Sequence, residues 1–132
     1  MRRRNEAVRN FYKIIQETLN DIDKASWDGK VFRVISPSLN DVPLPVCVFI
    51  HTSDAESSAF EGKAMNYHTF ELALIGKDLN ELTDVFDTIL ARLRRNYFVN
   101  DIFVEEGWNE NIEAFNVTYN VGVRNGIRPS AT

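Results

Sequence analysis

The stretch YHTFELALIGKDLNELTDVFDTILARLRR, from Tyr67 to Arg95, changes its hydrophobic period once, and that change decides the fold class. Between Tyr67 and Ile75, Phe70, Leu72 and Leu74 alternate with Thr69, Glu71 and Ala73. A period of two sends successive side chains to opposite faces, so these residues predict a strand covered on one side. From Leu82 onward the apolar spacing becomes three and four. Leu82, Phe86, Ile89 and Leu93, flanked by Val85 and Leu90, form the single stripe of an amphipathic helix. Asp78, with Glu81 three residues later, has the form of a capping box. Arg92, Arg94 and Arg95 close the helix with the charge sign its dipole favours.

Upstream, Pro45 starts the run Val46-Cys47-Val48-Phe49-Ile50, apolar on both faces as in a central strand. Proline is tolerated there because a strand's first position loses no ladder donor. Val31 to Ser36 predicts an earlier strand closed by Pro37, after a turn at Trp27-Asp28-Gly29-Lys30. Residues 38–44 then read as a loop. A first helix is predicted from Asn5, as N-cap, to about Asp23. Val8, Phe11, Ile15, Leu19 and Ile22 form its stripe, with Tyr12 beside them. Its charges oppose the macrodipole, with arginines before the start and Asp21 and Asp23 near the end. Packing must therefore hold it.

Downstream, Phe98 to Glu106 predicts a strand ended by Gly107. Ile112 to Arg124 predicts another, in which Phe115, Val117, Tyr119, Val121 and Val123 alternate with polar or small residues. The order is helix, strand, strand, strand, helix, strand, strand. Two apolar stripes need one apolar sheet face. The expectation is thus an α+β fold, with two helices packed on one face of a mostly antiparallel, roughly five-stranded sheet. The other face is expected to be flat and polar, carrying Thr69, Glu71, Asn116, Thr118 and Asn120, open to water or to a neighbouring subunit.

Length agrees with a single domain over residues 1–132, at 15.2 kDa and 44% hydrophobic. Three segments are set apart: a basic arm at residues 1–4, a long flexible loop at 52–66 without either period, and a loose tail at 125–132. The formal net charge of −4 argues against a surface that clamps nucleic acid throughout. One cysteine excludes an internal disulfide framework. No apolar run approaches the roughly 20 residues of a membrane span, and no apolar signal core follows the basic start, so a soluble protein made in the cytoplasm is expected.

Catalytic signatures are missing from this sequence: it has no nucleophile elbow, phosphate-cradling glycine loop or dinucleotide fingerprint. His51 and His68 lie at the ends of adjacent predicted strands. A metal there needs further ligands from Asp54, Glu56 or Glu61, and the spacing matches no known site. The preferred reading is a pair of rim histidines. Cys47, between Val46 and Val48, reads as a buried structural thiol. Glu105 and Glu106 are adjacent on a strand, so they face opposite ways and cannot act as a pair. No catalytic, cofactor or metal residue is assigned. The candidate contact residues are Arg2, Arg3 and Arg4, for which a solvated end is the preferred reading and phosphates or an acidic partner surface the other; Phe60 and Met65, either apolar anchors on the loop or folded back on their own domain; and Thr69, Glu71, Asn116 and Thr118 on the polar sheet face.

The whole pattern resembles the small tail terminator proteins of long-tailed bacteriophages, the minor tail protein U family. The likeness lies in the opening helix around Phe11-Tyr12-Lys13-Ile14-Ile15 and the proline-launched strand Pro45 to Ile50. It continues in the polar loop, the alternating strand leading to Lys77, the capped helix, and the final alternating strand Asn111 to Val123. It covers nearly the full length and is one of pattern and size. Related phage neck and tail-completion proteins share that size and order. The resemblance implies an α+β subunit of a hexameric ring in the virion tail, assembled in the host cytoplasm. Such a ring stops tail-tube polymerisation, meets the tail tube protein and a head-completion or connector protein, and lets DNA pass as genome. It implies no cofactor, no membrane and no catalysis. A monomeric α+β binding module is the alternative, and a small enzyme built around His51 and His68 is the third reading.

Overall fold

The computed structural model describes the backbone of residues 2–33, 43–58 and 64–124, and the side chains of 8–33, 43–52 and 67–124. The elements are α1 (Arg2–Trp27), β1 (Val31–Phe32), β2 (Val46–Ser58), β3 (Ala64–Gly76), α2 (Leu79–Leu93), β4 (Phe98–Asn109) and β5 (Ala114–Arg124). The five strands form one sheet in the order β1-β2-β3-β5-β4. Only the β1–β2 pair is parallel; the other pairs are antiparallel.

Both helices cover the same face, as the two apolar stripes require. Val8, Phe11, Ile15 and Leu19 from α1 meet Leu82, Val85, Phe86, Ile89 and Leu93 from α2 over Cys47, Phe49, Phe70, Leu72, Leu74, Val117, Tyr119, Val121 and Val123. The α+β expectation, with two helices on one side of a mostly antiparallel five-stranded sheet, matches this architecture. Phe11 is the aromatic hub, with ring centroids 5.2 Å from Phe70 and 4.8 Å from Tyr97. The α2 cap also forms as expected: the Asp78 carboxylate accepts from the backbone N–H of Asn80 (3.0 Å) and of Glu81 (3.3 Å).

Several expectations need correction. Residues 52–66 are not one long loop: β2 runs on to Ser58 and β3 begins at Ala64. The ladder continues through Ser53↔Thr69, Asp54↔His68, Glu56↔Asn66 and Ser58↔Ala64. Backbone hydrogen bonds do not depend on apolar side chains, so a ladder can propagate along a polar hairpin. The Thr52 and Thr69 hydroxyls, 2.9 Å apart, help to tie it on the face away from the helices.

Residues 2–4 are not an arm separate from the fold, because the backbone of Arg2, Arg3 and Arg4 forms the first turn of α1, ahead of the expected cap at Asn5. Arginine is a good helix former, and a first turn needs no upstream partners to satisfy its carbonyls. The other end of α1 passes the expected stop at Asp23. Asp23 itself leaves helical geometry (φ −160°, ψ 91°). Its carboxylate accepts from the backbone N–H of Ser26 (3.3 Å) and from its hydroxyl (2.7 Å). Asp23 thus caps a final short turn, where a carboxylate is favourable. Those bonds hold its acid below the usual carboxylate range.

Gly107 does not end β4. Pairing continues through Gly107↔Asn116, Trp108↔Phe115 and Asn109↔Ala114, and β5 starts at Ala114 rather than at Ile112. Finally, the outer sheet face is not uniformly polar. Val46, Ile75 and Ala114 are buried there with Phe32, Leu44 and Ile112 packed against them. The end of the first predicted strand, most of the 38–44 loop, Phe60 and the 125–132 tail lie outside the described residues.

Candidate functional site

Three of the four exposed large apolar side chains among the described residues lie on β4. This strand has 12 residues, about 40 Å at the usual rise. Among the described strands it lies at the sheet edge, paired to β5 alone. The helices explain its exposure. On α2, Phe86 reaches β5, stacking on Tyr119, and β4 lies one strand further out. Phe103 is 68% exposed, Trp108 52% and Val104 50%. Alternation places Val104, Glu106 and Trp108 on the helix side, opposite Tyr119, Val117 and Phe115. Asp101, Phe103 and Glu105 take the other side, opposite Gly122, Asn120 and Thr118. Trp108 rests edge-on against Phe115, centroids 5.0 Å apart. Among the described residues no strand lies beside the row of backbone N–H and C=O groups on the outer side of β4.

Charge is divided along the strand direction. At the β4–β5 turn lie Glu105, Glu106, Glu110 and Glu113, all exposed. Lys77 bolts this turn down, its ammonium donating to the carbonyls of Ile112 (3.2 Å) and Glu113 (2.7 Å). Asn109 closes the turn from within, its side-chain oxygen accepting from the N–H of Asn111 at 2.9 Å. The same end holds the start of α2, where Asp78, Glu81 and Asp84 line a shallow groove with Ile22 and Thr88. Ile22, expected in the core, is 41% exposed here.

The opposite end of the helix layer is basic. Arg94 and Arg95 are exposed at the end of α2. Arg124 lies over the Phe98 ring at 4.6 Å. Helix α1 runs from Tyr97, which Phe11 touches, towards the groove at Ile22. Its first turn, Arg2 to Arg4, therefore projects at the basic end. Arg92 is held by Asp21 at 2.7 Å across the two helices. The β2–β3 hairpin overshoots β5 at this end and brings the backbone of Asp54 and Glu56 there, within the sheet layer.

The residues singled out from sequence are dispersed. Thr69, Glu71, Asn116 and Thr118 sit half-buried on β3 and β5 on the outer face, with Thr118 opposite Ala73 and Asn116 opposite Ile75. Met65 lies on β3 opposite Ser57 in register. His51 and His68 do share a hairpin, but His51 pairs with Phe70 and His68 with Asp54. His68 is buried, edge-on to Phe11 at 5.7 Å. Among the described residues no three His, Cys, Asp or Glu side chains converge as metal ligands. Cys47 is buried, and burial pushes its thiol well above the ordinary range. Among the described residues no helix is long and apolar enough to cross a membrane.

Phe103, Val104 and Trp108 were not singled out. A signal was present: three large apolar residues interleaved with Asp101, Glu105, Glu106 and Glu110 cannot all be buried on one face.

No family model matches the chain, and no curated protein does. Among solved structures, it is similar to a chain of the virion of a native gene transfer agent particle. The identity is 10% and the TM-score 0.44, over 72% of this chain and 77% of that one.

Proposed function

We propose that this protein is a structural component of a phage tail. It caps the tail tube as a ring of its own copies, ends tube polymerisation, and offers the surface on which the head docks. It works by shape and contact, without chemistry of its own. The observation that carries this reading is β4: a long edge strand whose second half is exposed, with Phe103, Val104 and Trp108 in the open. Monomeric proteins blunt such edges or cover them, because an open ladder templates association. Here the edge is long and apolar, and it is anchored by Lys77, as a surface for a protein partner has to be. The element order supports the same role through its resemblance to tail terminators. A ring needs heterologous contacts that close, and a domain whose two ends differ in charge can supply them. The net negative charge suits a ring around passing DNA, since few phosphate contacts form to brake it.

Electron microscopy of tails assembled with and without the protein tests this. Overlong tubes in its absence, and a ring at the tube end in its presence, are expected. Tails of normal length and intact head joining without the protein overturn the proposal.

A further inference from the structure

The two ends of the molecule fit each other. We infer that a second copy of this chain docks its basic end, at Arg94 and Arg95, on the acidic β4–β5 end of the first, with Trp108 and Val104 as the apolar anchors. This rests on the self-assembly proposed above and names its interface.

The argument starts from what β4 excludes. Its open edge invites pairing with β4 of another copy. Such a two-fold contact repeats the same patch on both sides. It brings the carboxylates of one strand, Asp101, Glu105 and Glu106, close to those of the other. Like charges set opposite one another oppose association. A head-to-tail contact avoids this. It sets Glu105, Glu106, Glu110 and Glu113 against Arg94 and Arg95, all of them exposed. Arg92 is already engaged with Asp21, and Arg124 lies over Phe98, so Arg94 and Arg95 are the cations of α2's end offered outward. The three arginines of α1's first turn add to the same end.

The apolar part supplies what surface charge does not. Exposed ion pairs contribute little each, and steer more than they hold. Trp108 and Val104 project on the helix side of β4 with Glu106, next to the rigid turn, while Glu105 flanks the same edge from the other side. A half-exposed tryptophan ringed by polar groups has the make-up of an interface anchor. Since donor and acceptor ends lie on different parts of one chain, each copy has one of each. The contact repeats, and closes into a ring if the rotation allows.

The test uses two charge-reversed chains, Glu105→Lys/Glu106→Lys and Arg94→Glu/Arg95→Glu, followed by sedimentation velocity. Circular dichroism identifies any variant that fails to fold, in which case Glu110→Lys replaces the first pair. The wild-type chain is expected to associate, more tightly near 0.01 M salt, where screening reaches about 30 Å, than near 1 M, where it reaches about 3 Å. Each reversed chain alone is expected to associate at least about tenfold more weakly. A one-to-one mixture is expected to regain association, because it alternates two basic ends with two acidic ends. Trp108→Ala is expected to weaken assembly about tenfold or more at every salt concentration. Reversed chains that assemble like wild type, or a mixture no better than its components, overturn this interface and leave self-assembly standing. Wild type that stays monomeric at every concentration and salt overturns docking between copies, while tail length in the microscope still decides the structural role.

Discussion

The rings of Phe86 and Tyr119 lie face to face, centroids 3.5 Å apart and planes 3° from parallel. This stack joins α2 to β5 at the outer limit of what the helices cover. Beyond it, β4 keeps only Val99 and Ile102 packed against the core, and its second half is exposed. Phe86 is 4% exposed, and Phe86→Ala opens a cavity at the rim of the core. The expected cost is about 3–5 kcal/mol in urea unfolding, with β4 the first strand to lose amide protection in hydrogen exchange.

The same contact sets an alkaline limit. Burial, then the negative charges of Asp87 and Glu106, push the Tyr119 phenol up to about 12. Between an unfolded value near 10 and that folded value, the native state holds a proton that the unfolded chain has released. Its contribution is therefore complete below pH 10 and is lost as the pH rises through 12. Tyr119→Phe is expected to flatten part of this loss in denaturation followed from pH 9 to 12. Tyr97 and Cys47, both raised by burial, add to the slope that remains.

Helix α2 was legible because its signals agree: an apolar stripe, an N-terminal carboxylate cap and C-terminal arginines. Asp78→Ala removes the acceptor for two backbone N–H groups. The expected loss is about 1 kcal/mol, with a matching drop in helical signal at the midpoint of heating. Where signals conflict, the sequence misleads. Thr52 to Ser58 carries no apolar alternation, yet it forms strand because Ala64 to Thr69 pairs with it. Asp23 reads as a misplaced charge at a helix end until the kink makes it a cap. Phe103, Val104 and Trp108 are apolar like the core residues, and only strand order reveals that β4 is an edge. Periodicity records which side chains share a face; it does not record which strand stands outermost.

Gly29 gives a local test of the turn that joins α1 to the sheet. Its φ is +71°, and a Cβ built there meets nothing within 4 Å. Space is free, so the cost of Gly29→Ala is the left-handed backbone alone, about 1–2 kcal/mol. Gly76 offers the contrast: its backbone is ordinary, but an added Cβ meets Leu82 at 3.1 Å and Pro45 at 3.4 Å. Gly76→Ala is expected to destabilise through crowding, and Gly76→Ala/Leu82→Ala to lose less than the sum of the two single losses, because truncating Leu82 relieves the clash. Thermal melts of the four chains settle the comparison.

An assembly surface should be dispensable to the monomer. Phe103 points away from the helices and is 68% exposed, so Phe103→Ser removes little packing. A change within about 0.5 kcal/mol is expected in chemical unfolding of the isolated chain. Trp108→Ser also gives up the edge contact with Phe115, which adds about 0.5–1.5 kcal/mol. A core aromatic such as Phe49, fully buried between Phe70 and Tyr12, costs about 3–5 kcal/mol on truncation to alanine. The order Phe103, Trp108, Phe49 in monomer stability is therefore expected. Assembly on tails is expected to invert part of that order, with Trp108→Ser failing to shorten overlong tubes although its fold survives. If Trp108→Ser unfolds the chain as Phe49→Ala does, Trp108 belongs to the core and β4 is not the free surface described.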